Sequence, residues 1–185
     1  MAIPNLSPFE NYGIIAYLSG KFTPTPPTQF GKTALQKIIY ILQGSCNVPL
    51  NYHFEFFTHG PYSRKLSNDL ELAEYNRAIK INKEEMGTNI SQGEKSEEFI
   101  SLVHDFISKY DNDICRVLAD FGGYNAKELE VRATLIFIYN YFKNEKKSRE
   151  KLIDIFISSK PYFGTAEIGR ALDELVQKNY VILEN

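Results

Sequence analysis

The sequence predicts a mainly α protein of the α+β type, with a winged-helix-like N-terminal part followed by a helical C-terminal part. Three observations support this class. Apolar residues recur at helical spacing, as in the stripe within 35–42. A strand-like segment with alternating aromatic residues passes through Gly60-Pro61 into a helix start. A further helix pattern is followed by two short strand-like segments, which is the helix-then-hairpin order of a winged helix. We therefore expect a small β-sheet or hairpin among helices.

The N-terminal part is expected to span residues 1–95. Ser7 and Glu10 form a capping-box pattern at the start of the first helix. Gly20 and Gly44 are expected to end the first two helices. The predicted elements are a helix to about residue 18, a proline-rich connector over 22–29, a helix over 33–43, a strand over 51–57, a helix over 63–77 and short strands over 78–82 and 89–91.

The C-terminal part, residues 96–185, is expected to form a helical subdomain that packs against the first, and a single domain is the alternative. The polar stretch 92–96 suggests the boundary. The predicted elements are a long helix from 96 that is interrupted near 111–113, a glycine break at 122–123, helices over 125–143, 148–158 and 165–178, and a short strand or extended tail over 180–183.

Composition narrows the function classes. The chain has 185 residues, 43% hydrophobic and 24% charged, with a formal net charge of −2. This balance does not favour strong nonspecific binding to DNA. Cys46 and Cys115 lie far apart without a CxxC pattern, so we expect reduced thiols rather than a disulfide or a metal site. The N-terminus lacks a signal-peptide pattern and no apolar run approaches a membrane span, so we expect a cytoplasmic protein.

Two partial motifs fail when their full patterns are required. Gly31-Lys32-Thr33 matches the end of a P-loop, but Pro26 stands where the first glycine is needed. Asp111-Asn112-Asp113 matches the start of a calcium loop, but Cys115 and Arg116 follow where an oxygen ligand and a glycine are required. We therefore predict that the chain binds no cofactor and no metal.

Catalytic patterns are also absent from the sequence. The three histidines, His53, His59 and His104, have no spacing typical of metal ligands. Nothing marks a nucleophile, such as a G-x-S-x-G elbow, although a triad formed only in space stays open. We predict that the protein is not an enzyme, and we keep a hydrolase-like enzyme of unrecognised type as a second alternative.

The segment 52–66 is the most informative feature. Gly60 can adopt a positive φ and Pro61 fixes its own φ, so the chain should turn sharply there from strand to helix. Arg64 and Lys65 then lie in the first helical turn, where cations oppose the helix dipole. A bound anion would remove that cost. The predicted binding residues are His59, Gly60, Tyr62, Arg64 and Lys65. The alternative is that both cations are solvated and Tyr62 fills the core.

Four segments resemble the YwgA-like family of bacterial and archaeal proteins. They are GKTALQKIIY at 31–40, FFTHGPYS at 56–63, AKELE at 126–130 with Ala133-Thr134, and the E-I-x-x-A-L-x-x-L pattern at 167–175. This family is similar in turn to the SocA-like or Panacea group, whose domain occurs in toxin-neutralising antitoxins and proteolytic adaptors. The resemblance implies a helical, winged-helix-like fold and a non-enzymatic role, and it carries over no catalytic residues.

Two functions follow as expectations. The first is a cytoplasmic regulatory binding protein that acts through a protein partner and is antitoxin- or adaptor-like. The alternative is a sequence-specific DNA-binding winged-helix regulator, in which basic residues of the third helix and the hairpin contact phosphates. Those residues would be Arg64, Lys65, Arg77, Lys80 and Lys83. No membrane partner is expected, and a homodimer is left open.

Overall fold

The computed structural model describes residues 6–22, 30–84, 87–142 and 148–184. Within these ranges the protein is mainly helical, with eight helices and two antiparallel two-stranded sheets. The elements are α1 Pro8–Lys21, α2 Lys32–Ser45, β1 Glu55–Phe57, β2 Gly60–Tyr62, α3 Arg64–Tyr75, β3 Ile79–Glu84, β4 Gly87–Gln92, α4 Ser96–Ser101, α5 His104–Phe121, α6 Ala126–Tyr141, α7 Arg149–Ser159 and α8 Thr165–Gln177.

Local sequence signals place most helix starts correctly. Ser7 and Glu10 form the expected capping box, and Asn125 and Glu128 form another at the start of α6. The side chain of Ser148 caps α7 by accepting from the backbone N–H of Lys151. These caps satisfy N–H groups that a helix leaves unpaired at its first turn, and they need no tertiary partner.

Gly20 and Gly44 lie one residue before the ends of their helices rather than at the ends. Helix α1 ends at Lys21 and α2 ends at Ser45. A Cβ on Gly20 would lie 2.4 Å from the Gln92 side chain, and one on Gly44 would lie 3.1 Å from the Asn140 side chain. Both glycines therefore permit close packing of other side chains against the last turn of a helix. The expected connector at 22–29 lies outside the described residues from 23 onward.

The chain reverses earlier than the Gly-Pro pair suggested. Strand β1 covers Glu55–Phe57 only, and β2 is formed by the Gly-Pro-Tyr segment itself. The register pairs Phe57 with Gly60, so Thr58–His59 is the two-residue turn of a hairpin. Gly60 does have a positive φ, of 81°. The strand predicted over 51–57 is thus shorter than expected, and the junction is a hairpin followed by a helix.

Helix α3 and the second hairpin follow in the predicted order. Leu66, Leu70 and Ala73 line the buried side of α3, as expected. Strands β3 and β4 are longer than predicted and pair from Ile79 opposite Gln92 to Glu84 opposite Gly87, while residues 85–86 of the expected turn lie outside the described residues. The helix-then-hairpin order is present, and the assignment to the winged-helix fold stays a prediction.

The interruption expected near 111–113 is wrong, because α5 is continuous there. The break lies instead at Leu102-Val103, where backbone N–H groups bond to carbonyls three residues earlier. Asp111 stays helical and accepts a hydrogen bond from the Tyr17 hydroxyl. Among the described residues at 180–183 there is no strand, but Tyr180 and Val181 are buried.

The core joins elements from both sides of residue 95. Helix α1 packs on α4, and α2 packs on α5 and α6. Gly13 makes the first of these contacts close, since a Cβ there would lie 2.2 Å from the Phe99 carbonyl oxygen. The buried side chains form one hydrophobic cluster. None of the helices described here combines the length and the apolar character needed to span a membrane.

Candidate functional site

The LQK segment of α2 holds the GPYS segment directly. The side-chain amide of Gln36 donates to the Ser63 carbonyl oxygen at 2.9 Å and accepts from the Ser63 N–H at 2.9 Å. The ammonium group of Lys37 donates to the Pro61 carbonyl oxygen at 2.8 Å. All three contacts are buried, so the two motifs that stand out in the sequence are one structural unit.

The same helix repeats this arrangement two turns later. The side-chain amide of Gln43 donates to the Tyr52 carbonyl oxygen at 2.7 Å and accepts from the Tyr52 N–H at 2.9 Å. Gln36 and Gln43 are seven residues apart and therefore share a face of α2. Together they fix both ends of the segment that contains the β1–β2 hairpin.

Gly60 is required by both conformation and space. Its φ of 81° lies in the left-handed region that side chains with a Cβ rarely adopt. A Cβ there would also lie 2.7 Å from Oγ1 of Thr134 on α6. That hydroxyl is buried and has no hydrogen-bond partner among the described residues. The hairpin thus lies against α6 with no room for a larger residue.

A buried ion pair anchors the hairpin turn. Lys160, which follows α7, donates to Oε1 of Glu130 at 2.6 Å and also to the Thr58 carbonyl oxygen. The Tyr162 hydroxyl donates to the same carboxylate oxygen at 2.9 Å, and His59 Nδ1 lies 3.4 Å from Oε2. Burial alone would raise the pKa of Glu130, but the hydrogen bonds from Lys160 and Tyr162 and the ammonium charge outweigh it, so the net pKa is lowered.

Lys37 is the second buried lysine beside this pair. Only 2% of its surface is exposed. Burial lowers the pKa of Lys37 to about 8, which the Glu130 carboxylate partly opposes and the Lys160 ammonium reinforces. We call Lys37, Glu130 and Lys160 the buried charge cluster. It contains two cations and one anion.

A concave cavity of about 580 Å³ opens beside the hairpin turn, and we call it the tip hollow. Its wall comes from the first turns of α2, from the β1–β2 turn and from one face of α3. Lys32 and Lys37 bring cationic side chains to it, and Phe57 and Leu70 bring apolar surface. The lining residues are Lys32, Thr33, Gln36, Lys37, Phe57, Thr58, His59, Gly60, Tyr62, Ser67 and Leu70.

Two neighbouring hollows share the same hairpin turn. One, of about 470 Å³, lies between His59 and the start of α6 and includes Tyr162. The other, of about 480 Å³, lies between Phe56, Phe57 and Lys160. Phe56 is 40% exposed, Phe57 43% and Tyr162 59%. Exposed aromatic residues around a rigidly held turn are typical of a recognition surface.

The structure brings three of the five predicted binding residues together. His59, Gly60 and Tyr62 line the tip hollow. Arg64 is exposed, one helical turn before the lining residue Ser67. Lys65 donates to Asp69 at 2.8 Å, and the Ser63 side chain accepts from the Leu66 N–H. The helix start therefore has a cap, and Lys65 has an anion within the chain.

The basic residues predicted for DNA binding are spread over α3 and the hairpin. Arg77 lies 3.3 Å from Glu94, and Lys80 and Lys83 are exposed on β3. The exposed face of α3 also carries Glu71 and Glu74. This surface is therefore mixed in sign, whereas a phosphate-binding surface is predominantly positive.

Sequence reasoning missed Lys37, Glu130 and Lys160. Lys37 offered a signal in the sequence, because apolar residues flank it on both sides, at Ala34-Leu35 and over 38–42. A lysine inside an apolar stretch of helix is expected to be buried and paired. Glu130 and Lys160 offered no comparable signal, since their pairing depends on the contact between α6 and α7.

No group of three or more His, Cys, Asp or Glu residues could hold a metal ion in the part of the chain that the structure describes. The chain matches no protein-family model and no curated protein.

Proposed function

We propose that this protein is a non-enzymatic regulatory module of the cytoplasm that binds a segment of a protein partner in the tip hollow. The observation that carries this proposal is the hollow itself, which combines apolar surface from Phe57 and Leu70 with polar groups from three elements. Mixed lining of this kind is typical of ligand and peptide sites. The antitoxin- or adaptor-like role implied by the family resemblance is of the same class.

The support beneath the hollow favours binding with little rearrangement. Gln36 and Lys37 hold the strand and helix start, and Lys160 holds the carbonyl of Thr58 at the turn. A site that is fixed before the partner arrives loses less conformational entropy on binding. The exposed rings of Phe56 and Phe57 extend the contact surface beyond the hollow.

Filling the hollow tests the proposal. Ser67 is half-buried and lines the hollow, whereas the neighbouring Asn68 is exposed and does not line it. We expect the unaltered chain and Asn68→Trp to capture a partner in equal amounts. Ser67→Trp should capture none of it. Affinity purification with quantitative mass spectrometry measures this, and circular dichroism checks that both variants are folded. Tyr62→Ala should weaken the same capture.

The proposal fails if Ser67→Trp and Asn68→Trp retain the same partners in the same amounts. That result would place partner binding elsewhere on the molecule, or would show that no partner binds at this face.

DNA binding is the second proposal, and the observation that favours it is the order of α3 and the β3–β4 hairpin. In this alternative Arg64, Lys65, Arg77, Lys80 and Lys83 contact phosphates. Binding should then weaken steeply as salt increases, because each phosphate contact releases counterions. Electrophoretic mobility shifts over a salt series measure this, and the absence of any shifted duplex at low salt would end the alternative.

A further inference from the structure

The tip hollow lies over an unbalanced buried charge. The buried charged residues that the structure describes are Lys37, Asp69, Glu130 and Lys160. Asp69 lies on the α3 side and is paired with Lys65. Glu130 is paired with Lys160, which leaves the Lys37 ammonium group with a carbonyl oxygen as its hydrogen-bond acceptor. Isolated charges inside a protein are costly unless an opposite charge compensates them.

The wall of the hollow carries no compensating acid. Its basic side chains are Lys32, Lys37 and His59, and none of its eleven lining residues is Asp or Glu. Phe57 and Leu70 add apolar surface on the same wall. An occupant that complements this wall has a short apolar stem and ends in an anion.

We propose that the tip hollow recognises a carboxylate side chain, glutamate above all, within the partner segment, and that Lys37 is its main counter-ion. This inference rests on the proposed function and names the chemistry of the partner. The methylene groups of glutamate match the apolar wall, and its carboxylate would neutralise the excess positive charge of the buried charge cluster. Capture of a chain terminus usually uses a nest of backbone N–H groups, whereas the cations of this hollow are side chains.

Binding of a carboxylate beside Lys37 should be coupled to proton uptake. Lys37 interacts electrostatically with Glu130 of α6 and with Lys160 after α7, and it lines the hollow together with Lys32 and His59. Its pKa is lowered to about 8 by burial, so above that pH much of it is neutral in the free protein. A carboxylate placed beside it favours the protonated form, and binding then takes up a proton.

Selection from random peptides tests the inference. The full chain would be immobilised and screened against a phage library of linear peptides of about 12 residues, a length suited to a groove of this kind. We expect the selected peptides to share an acidic residue, mostly glutamate. Ser67→Trp should no longer bind these peptides, whereas Asn68→Trp should still bind them. Replacing that glutamate by glutamine should weaken binding on the order of ten-fold.

Lys37→Met should weaken peptide binding by the same order. If Lys37→Met does not fold, the peptide with glutamine in place of glutamate still tests the contact in the unaltered protein. Titration calorimetry in two buffers of different ionisation enthalpy should show uptake of about 0.7 proton per bound peptide near pH 8.5 and less near pH 6.5.

The outcomes separate the two proposals. Peptides that need an open hollow but bind equally with glutamine, or an uptake no larger at the higher pH, overturn the carboxylate inference and leave the proposed function standing. Failure to select any peptide that Ser67→Trp excludes overturns both. Displacement of the selected peptides by a short DNA duplex, with no preference for acidic residues, would assign the cations to phosphate and overturn the inference.

Discussion

Lys37 is the residue at which burial most clearly changes the behaviour of a charged group. Its ammonium group has left water for a position where a carbonyl oxygen accepts its hydrogen bond and a second lysine lies nearby. Burial disfavours the charged form, and the pKa falls from 10.5 to about 8. The folded protein therefore tolerates this cation at a cost, and that cost depends on pH.

The free energy of unfolding of the unaltered protein, compared with that of Lys37→Met, should increase as pH rises from about 8 to 10. Below about pH 8 the lysine is protonated in both the folded and unfolded states, so the folded state carries the full cost. Above it the folded state releases the proton that the unfolded chain still holds, which relieves on the order of 2 kcal/mol by about pH 10. Urea denaturation of both proteins at each pH measures the difference, and a difference that stays constant with pH would contradict the assignment.

Gly60 should be far more sensitive to alanine than Gly123. Gly60→Ala introduces a Cβ at φ 81° and 2.7 Å from Thr134 Oγ1, so we expect a loss of about 1–3 kcal/mol in the free energy of unfolding. Gly123 is exposed, and a Cβ there meets nothing within 4 Å, so Gly123→Ala should change stability by less than about 0.5 kcal/mol. Adding Thr134→Ala to Gly60→Ala should recover part of the loss. Equal effects of the two glycine substitutions in urea denaturation would refute this account.

At the scale of elements, α2 holds the segment that follows it in position through side-chain hydrogen bonds to the backbone. Its apolar residues pack against α5 and α6, while two glutamines on one face bind backbone groups at Tyr52 and Ser63. Each glutamine amide supplies a donor and an acceptor to a backbone that lacks a strand partner there. The segment between Tyr52 and Ser63 is therefore held at both ends by α2, although its own hairpin has only three residues per strand.

Each of these glutamines should protect its own backbone amide from hydrogen exchange. Gln36→Met should lower the protection of the Ser63 N–H and leave that of Tyr52, and Gln43→Met should do the reverse. Each change should lower the free energy of unfolding by about 1–3 kcal/mol, because a buried N–H loses its acceptor. Amide exchange followed by NMR measures both sites, and the two variants serve as controls for each other. Loss of protection at both sites in either variant would mean that the contacts are not independent.

At the scale of the whole molecule, the parts on either side of residue 95 share one hydrophobic cluster. Helix α1 packs on α4, and α2 packs on α6, so burial of these two N-terminal helices depends on C-terminal ones. The hairpin tip with its hollow also lies at this contact, because Lys37 comes from one side and Glu130 and Lys160 come from the other.

The two parts should therefore unfold in one transition. The chain has no tryptophan, so Tyr75→Trp and Tyr141→Trp would place single reporters at positions that are 85% and 74% exposed. We expect the two urea transitions to coincide, because neither part buries its apolar surface alone. Transitions that differ between the reporters would show that residues 1–95 and 96–185 are separate folding units.

Features that depend on neighbouring residues could be predicted from the sequence. The caps at Ser7, Asn125 and Ser148, the buried side of α3 and the positive φ of Gly60 all follow from groups within a few residues. The position of the hairpin turn could not, because Gly60-Pro61 is compatible with both a turn and a returning strand. The pairing of Phe57 with Gly60 decides between them.

The sequence by itself thus determined a mainly helical protein and pointed to 52–66 as its organising segment. Only the tertiary structure revealed that the segment closes onto Gln36 and Lys37 and that Glu130 and Lys160 meet beneath its turn. The physical reason is that caps and glycine conformations are local, whereas a buried charge is defined by residues distant in the chain. The charge of the tip hollow, on which its proposed preference for a carboxylate depends, arises from that long-range contact.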